Sequence, residues 1–83
     1  MEQYKNLSGN SNVVAYMFLP DSIIVKFHNG SNLFYKYSVN SCGLHEVKLL
    51  KRLAQQGVGL NAELARKGHP DYEAKGATLK AVL

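Results

Sequence analysis

Three histidines, six carboxylates and one cysteine are the side chains of this 83-residue chain best suited to chemistry. His28, His45 and His69 offer no pair at the i,i+4 spacing that sets two metal ligands on one helical face, and no H-E-x-x-H run occurs. His45 and Glu46 are adjacent, so on a helix they point to different sides. Cys42-Gly43 falls near an expected helix start, where a thiolate is favoured. No histidine is placed by sequence to serve it as a base, and a half-buried structural thiol is the plainer reading. Gly57-Val58-Gly59 lacks the Lys-Ser/Thr of a phosphate loop and the third glycine of a dinucleotide fingerprint, so it reads as a helix cap and tight connection. These residues imply no catalytic site, no metal and no cofactor, and the expectation is a chain that is not an enzyme.

The basic residues carry a stronger signal. Ten Lys and Arg against six Asp and Glu give a net charge of +4, which favours an acidic partner. Lys48, Lys51 and Arg52 share one helical arc that Gln55 extends, and Arg66-Lys67 adds a second cluster. Lys26, Lys36 and His28 can share a sheet face with Phe34. Phosphate contacts from such residues would be salt-dependent, and an exposed Phe34 could stack a base for ~1–3 kcal/mol. The plainer alternative is a normally solvated helix face, since Lys and Arg opposite an apolar stripe are what any amphipathic helix presents.

The elements that must position these groups are legible in outline. The chain is 46% apolar and 19% charged, a globular composition, and it contains no apolar run long enough to span a bilayer. Met1 to Asn12 has no apolar stretch after Lys5 and does not resemble a secretory signal. A single cysteine excludes an internal disulfide, and a reducing cytoplasm is the natural inference. Residues 1–11 are polar and rich in Gly, Asn and Ser, which predicts a flexible lead-in. Val13 to Phe18, Ser22 to His28 and Asn32 to Ser38 are rich in β-branched and aromatic residues and predict three strands. Pro20-Asp21 and Asn29-Gly30 mark the turns between them, giving an antiparallel meander.

Two registers are open for the second hairpin. A two-residue Asn29-Gly30 loop pairs Ile24 with Tyr35 and puts Tyr35 and Tyr37 beside Lys26 and His28, an aromatic and basic platform. A three-residue loop with a bulge pairs Ile23 with Tyr35 and gathers Ile23, Val25, Phe27, Leu33, Tyr35 and Tyr37 on one apolar face. A slip of one residue exchanges the faces, and the second register separates polar from apolar far better. From Leu44 to Gln56 the period changes: Val47, Leu49, Leu50, Leu53 and Ala54 fall on one arc of a helix that Asn40 or Ser41 can cap and Gly57 ends. Asn61 can cap a shorter helix, Ala62 to Lys67, with Gly68 after it. Residues 69–83 carry only a weak pattern and predict a loosely ordered tail.

In this order and spacing, Val14 and Tyr16, Ile23-x-Val25-x-Phe27, Gly30, Tyr35-Lys36-Tyr37, Val39, Ala54-Gln55-Gln56-Gly57, Leu60-Asn61 and Leu64 resemble the KTSC domain. That family is named for a module at the C-terminus of some lysyl-tRNA synthetases and also occurs as small stand-alone bacterial and phage proteins. The resemblance covers residues 12–68. It departs from the family in the offset of five from Gly30 to Tyr35 and in the lack of a proline before the helix. RNA binding is what the resemblance implies. The expected fold is α+β, a three-stranded antiparallel β-meander with one amphipathic helix and a second short helix packed on one face. The expected function is nucleic-acid binding, RNA ahead of DNA, through Lys48, Lys51, Arg52, Lys26, Lys36 and Phe34. The competing expectation is a protein-interaction module, an accessory to or inhibitor of nucleic-acid machinery or a homodimer, using Ile24, Phe34 and Met17 on the open sheet face.

Overall fold

The computed structural model describes residues 1–66 and 68–83. Its centre is the expected meander: β2 (Val13–Leu19), β3 (Ser22–Phe27) and β4 (Phe34–Ser38) are antiparallel neighbours. Leu19 pairs with Ser22, so Pro20 and Asp21 form a two-residue turn whose φ the proline presets. The class is α+β, but the sheet has five strands instead of three. A two-residue β1 (Glu2–Gln3) pairs with β2, and a three-residue β5 (Ala74–Gly76) pairs with β4, giving the order β1-β2-β3-β4-β5.

Both edge strands come from the segments that composition marks as a flexible lead-in and a loose tail. Strands of two or three residues are too short to show a period of two, so pairing and packing hold them instead. The Tyr4 N–H donates to the Val14 carbonyl at 2.9 Å, its ring is buried, and its hydroxyl accepts from the Leu60 N–H at 3.4 Å. At the other edge the Glu73 N–H donates to the Lys36 carbonyl at 2.6 Å.

The second hairpin takes neither expected register. Ile23 pairs with Tyr37, Val25 with Tyr35 and Lys26 with Phe34, and the Phe27 N–H donates to the Leu33 carbonyl at 2.7 Å. The loop is therefore 28–32. A two-residue I′ turn needs positive φ at both central residues, whereas only Gly30, at +113°, has it. The offset from the three-residue loop is two positions, so the faces keep their parity. Ile23, Val25, Phe27, Tyr35 and Tyr37 do line one face, while Leu33 packs on the other. The platform of Tyr35 and Tyr37 beside Lys26 and His28 does not form.

A short helix not expected from sequence, α1 (Val39–Cys42), follows β4. Ser38 and Ser41 cap it reciprocally: the Ser38 hydroxyl accepts from the Ser41 N–H at 3.1 Å, and the Ser41 hydroxyl from the Ser38 N–H at 3.0 Å. α2 runs over Leu44–Gln56 as the periodicity predicts, starting after Gly43 instead of an Asn40 or Ser41 cap. Gly57 ends it in the left-handed region at φ +80°, its N–H donating to the Leu53 carbonyl at 3.0 Å. α3 (Leu60–Ala65) begins after Gly59, so Asn61 lies inside it; the expected end at Lys67 lies outside the described residues.

The sheet carries a core on each face. Under the helices, Tyr4, Val13, Tyr16, Ile23, Val25 and Tyr37 meet Leu50, Ala54 and Leu60. On the opposite face Ile24 and Phe34 pack with Val82, flanked by Met17, Leu19, Ala74 and Leu79. That face is closed, not open. Its cover is the C-terminal segment, with a 3-10 turn at Leu79–Ala81. No helix among the described residues is long and apolar enough to cross a membrane.

Candidate functional site

Closure of the second face removes part of the expected site. Phe34 is 9% exposed and Ile24 fully buried, so neither presents a surface to a base or to a protein partner. Met17 packs into the same cluster. Lys26 lays its ammonium 5.7 Å from the Phe34 ring centroid, and Lys36 pairs with Glu73 at 3.2 Å. A hydrogen bond from Ser38, then the one from Lys36, holds the Glu73 carboxyl below its usual range. The open-face contacts assigned to Phe34, Ile24 and Met17 are corrected accordingly, and Lys26 and Lys36 serve that core's rim.

The helical part of the site stays together. Lys48 and Arg52, one turn apart on α2, are exposed. Lys51 is half-buried: its ammonium donates to the Leu19 carbonyl at 2.6 Å and sits 5.4 Å from the Phe18 ring centroid. Phe18 is 37% exposed and leans on Tyr16 at 5.3 Å between centroids. Among the described residues, none of Lys48, Lys51 and Arg52 has a carboxylate within ion-pair distance. The Lys5 stem lies against Gly57, where a Cβ would meet it at 2.6 Å, so another cationic residue stands beside the α2 C-terminus, the end its dipole favours. This cationic face adjoins the β2–β3 turn.

Acidic groups are drawn elsewhere. Arg66 bridges Glu63 at 2.7 Å and Glu46 at 3.2 Å, tying α3 to the start of α2. Burial, then the neighbouring Glu63, raises the Glu46 carboxyl, while hydrogen bonds from Glu46 and then Arg66 lower Glu63.

At the other end of the sheet the structure opens a cleft of about 540 Å³ between the 28–32 loop, α3 and residues 69–72. Phe27, Tyr35, Tyr37 and Tyr72 give it aromatic walls. The Tyr35 ring meets Phe27 edge-to-face at 5.4 Å and Tyr72 edge-to-face at 5.1 Å, and stacks at 6.4 Å with Tyr37. Burial, then the adjacent Tyr35, pushes the Tyr37 hydroxyl well above the usual tyrosine range. Asn12, Asn29, Ser31, Asn32 and Asn61 supply amides and a hydroxyl, and His69 stands at the edge. No Asp, Glu, Lys or Arg lines the cleft among the described residues. Outside it, the Lys75 ammonium lies 5.4 Å from the Tyr72 ring centroid.

Sequence reasoning did not find this cleft. The density of asparagines around the hairpin was the available signal; Tyr72 sits in the segment read as tail, and Asn12 just before the first expected strand. Cys42 is half-buried, its thiol donating to the Ser38 carbonyl at 3.4 Å and raised by burial. Among the described residues, no three of the His, Cys, Asp and Glu side chains gather as a metal would require. No family model matches the chain, and no curated protein or solved structure does.

Proposed function

We propose that this domain binds single-stranded nucleic acid without chemistry, tracking its backbone with the cationic face of α2. The observation that carries the reading is the grouping on α2 of Lys48, Lys51 and Arg52, free of carboxylate partners among the described residues, with the half-exposed Phe18 ring beside Lys51. Cations without partners can neutralise phosphates and release their counterions, and an exposed ring beside them can stack a base. Lys51, pinned to the Leu19 carbonyl, is pre-organised and loses little side-chain freedom on binding. RNA is placed ahead of DNA on the resemblance of residues 12–68 to the KTSC domain alone.

Fluorescence anisotropy with a mixed-sequence single-stranded RNA, at two salt concentrations, tests this. The expected result is binding that weakens with salt and drops ~100-fold at low salt in the Lys48→Glu, Arg52→Glu double variant. Salt-independent binding, or none at low salt, overturns it.

A further inference from the structure

The cleft at the loop end is a second site, and its lining specifies a ligand. The geometry points to a site for one nucleobase, stacked against an aromatic wall and read along its edge by asparagine amides, with its phosphate left outside. The inference does not depend on the cationic face.

Four features converge. The first is shape: about 540 Å³ is within the usual range for small-molecule pockets and accommodates a base with its ribose. The second is the walls. Tyr35 is already braced edge-to-face by Phe27 and by Tyr72, and Tyr72, 39% exposed, stands on the rim with ring surface to offer. Stacking on such rings is the general way proteins hold an unpaired base.

The third is hydrogen-bonding capacity. Asn12, Asn29, Asn32 and Asn61 all line the cleft, and none of their side-chain amides has a hydrogen-bond partner among the described residues. Elsewhere in the chain, Asn6 and Asn10 spend their side-chain oxygens on Ser11 and Ser8. An amide presents a donor and an acceptor side by side, the pairing that the edge of a base requires.

The fourth is charge. Among the described residues the lining carries neither a carboxylate nor a Lys or Arg, which suits a ligand part without a formal charge. Lys75 stands outside against Tyr72, where a phosphate leaving the cleft would meet it. A sugar ring would also use aromatic faces and amides, but it gives no role to Lys75 or to the net charge of +4.

The same base can arrive in two forms, as a free nucleotide or as an unpaired residue of a strand. The test is a ¹H–¹⁵N NMR titration of the full chain with adenosine, guanosine, cytidine and uridine, then with the corresponding monophosphates and short homopolymeric RNA strands. A nucleoside has no phosphate, so its binding reads the cleft alone, whatever the cationic face does.

The expected result is saturable shifts of the Asn29, Asn32 and Asn61 side-chain amides with at least one nucleoside, at an affinity unchanged between low and high salt. Tyr72→Ala, on an exposed position, should weaken that binding about tenfold or more, and Asn61→Ala should alter the ranking of the four bases. A monophosphate matching its strand in affinity identifies the free nucleotide as the source, whereas a strand binding far more tightly identifies the unpaired residue. The proposal is overturned if no nucleoside moves these resonances at millimolar concentration, if a mono- or disaccharide moves them instead, or if Tyr72→Ala leaves a nucleoside's affinity intact while the variant's spectrum stays folded.

Discussion

The two ends of the sheet present opposite chemistry to a ligand. Near the β2–β3 turn, Lys48, Lys51 and Arg52 present charge on an open helix face, with one ring, Phe18, beside Lys51. At the β3–β4 loop the cleft presents rings and amides with no full charge in its lining among the described residues. Desolvation explains the separation. An ammonium enclosed among four aromatic rings would lose much of its hydration, whereas on an exposed face it keeps its water. Charge on that face acts over about a Debye length, ~8–10 Å at ordinary salt, so it needs no enclosure to attract a strand. Shape recognition acts only at contact. The lesson of the pair is that the two are best distinguished by salt.

Four measurements break or sharpen that contrast. The largest effect should come from the surface that drops out of it. Phe34→Ala removes the centre of the second core and should cost ~3–5 kcal/mol in urea unfolding; a near-neutral result would return Phe34 to the list of contact residues. Next is the Lys48→Glu, Arg52→Glu variant. Losing two phosphate contacts should flatten the dependence of log K on log salt by about 1.4 for a single strand, with a ~100-fold drop in low-salt affinity. An unchanged slope would mean that the charged end makes no phosphate contact. Smaller is Gly57→Ala: at φ +80°, with a Cβ 2.6 Å from that of Lys5, it should cost ~1–2 kcal/mol by denaturant midpoint and displace Lys5 from the α2 C-terminus.

The smallest is a pH effect at the β5 edge. The Glu73 carboxyl is lowered in the folded state, so its stabilising contribution is present above the usual value of 4.5. It is lost as pH falls through the lower folded value. The protection factor of the Glu73 amide against hydrogen exchange, bonded as it is to the Lys36 carbonyl, should fall over that interval, and Glu73→Gln should remove that fall.

What the sequence revealed follows the length of each element. α2, at thirteen residues, carries enough turns for its apolar arc to define Leu44–Gln56, and the glycine after it is a conformational requirement. The Pro20-Asp21 turn is equally local. The hairpin's faces were legible through the parity of Ile23, Val25, Phe27, Tyr35 and Tyr37 although its loop length was not, because shifting by two residues leaves parity unchanged. α1 was missed because four residues make one turn, stabilised by a serine pair that reads as loop. β1 and β5 were missed because their order comes from the partner strand. The exposure of Lys48 and Arg52 could be read from the helix pattern. The burial of Phe34 could not, since Val82 covers that face from forty-eight positions away. The cleft needed Asn12, Tyr35 and Tyr72 brought together by the sheet, and no local pattern joins them.

The strand order has a consequence for the way the chain assembles. Because β1 to β4 follow one another in space as they do in sequence, each of their pairings closes a short loop and can form quickly. The pairing of β4 with β5 differs: residues 39–73, with every α-helix, lie inside the loop it closes. That closure loses more chain entropy and becomes favourable only after the helices have docked. The domain should therefore fold in two kinetic steps, with the helix-covered core first and the Val82 core second. In the native state the order reverses, so β5 and the final turn should be the first part of the sheet to open.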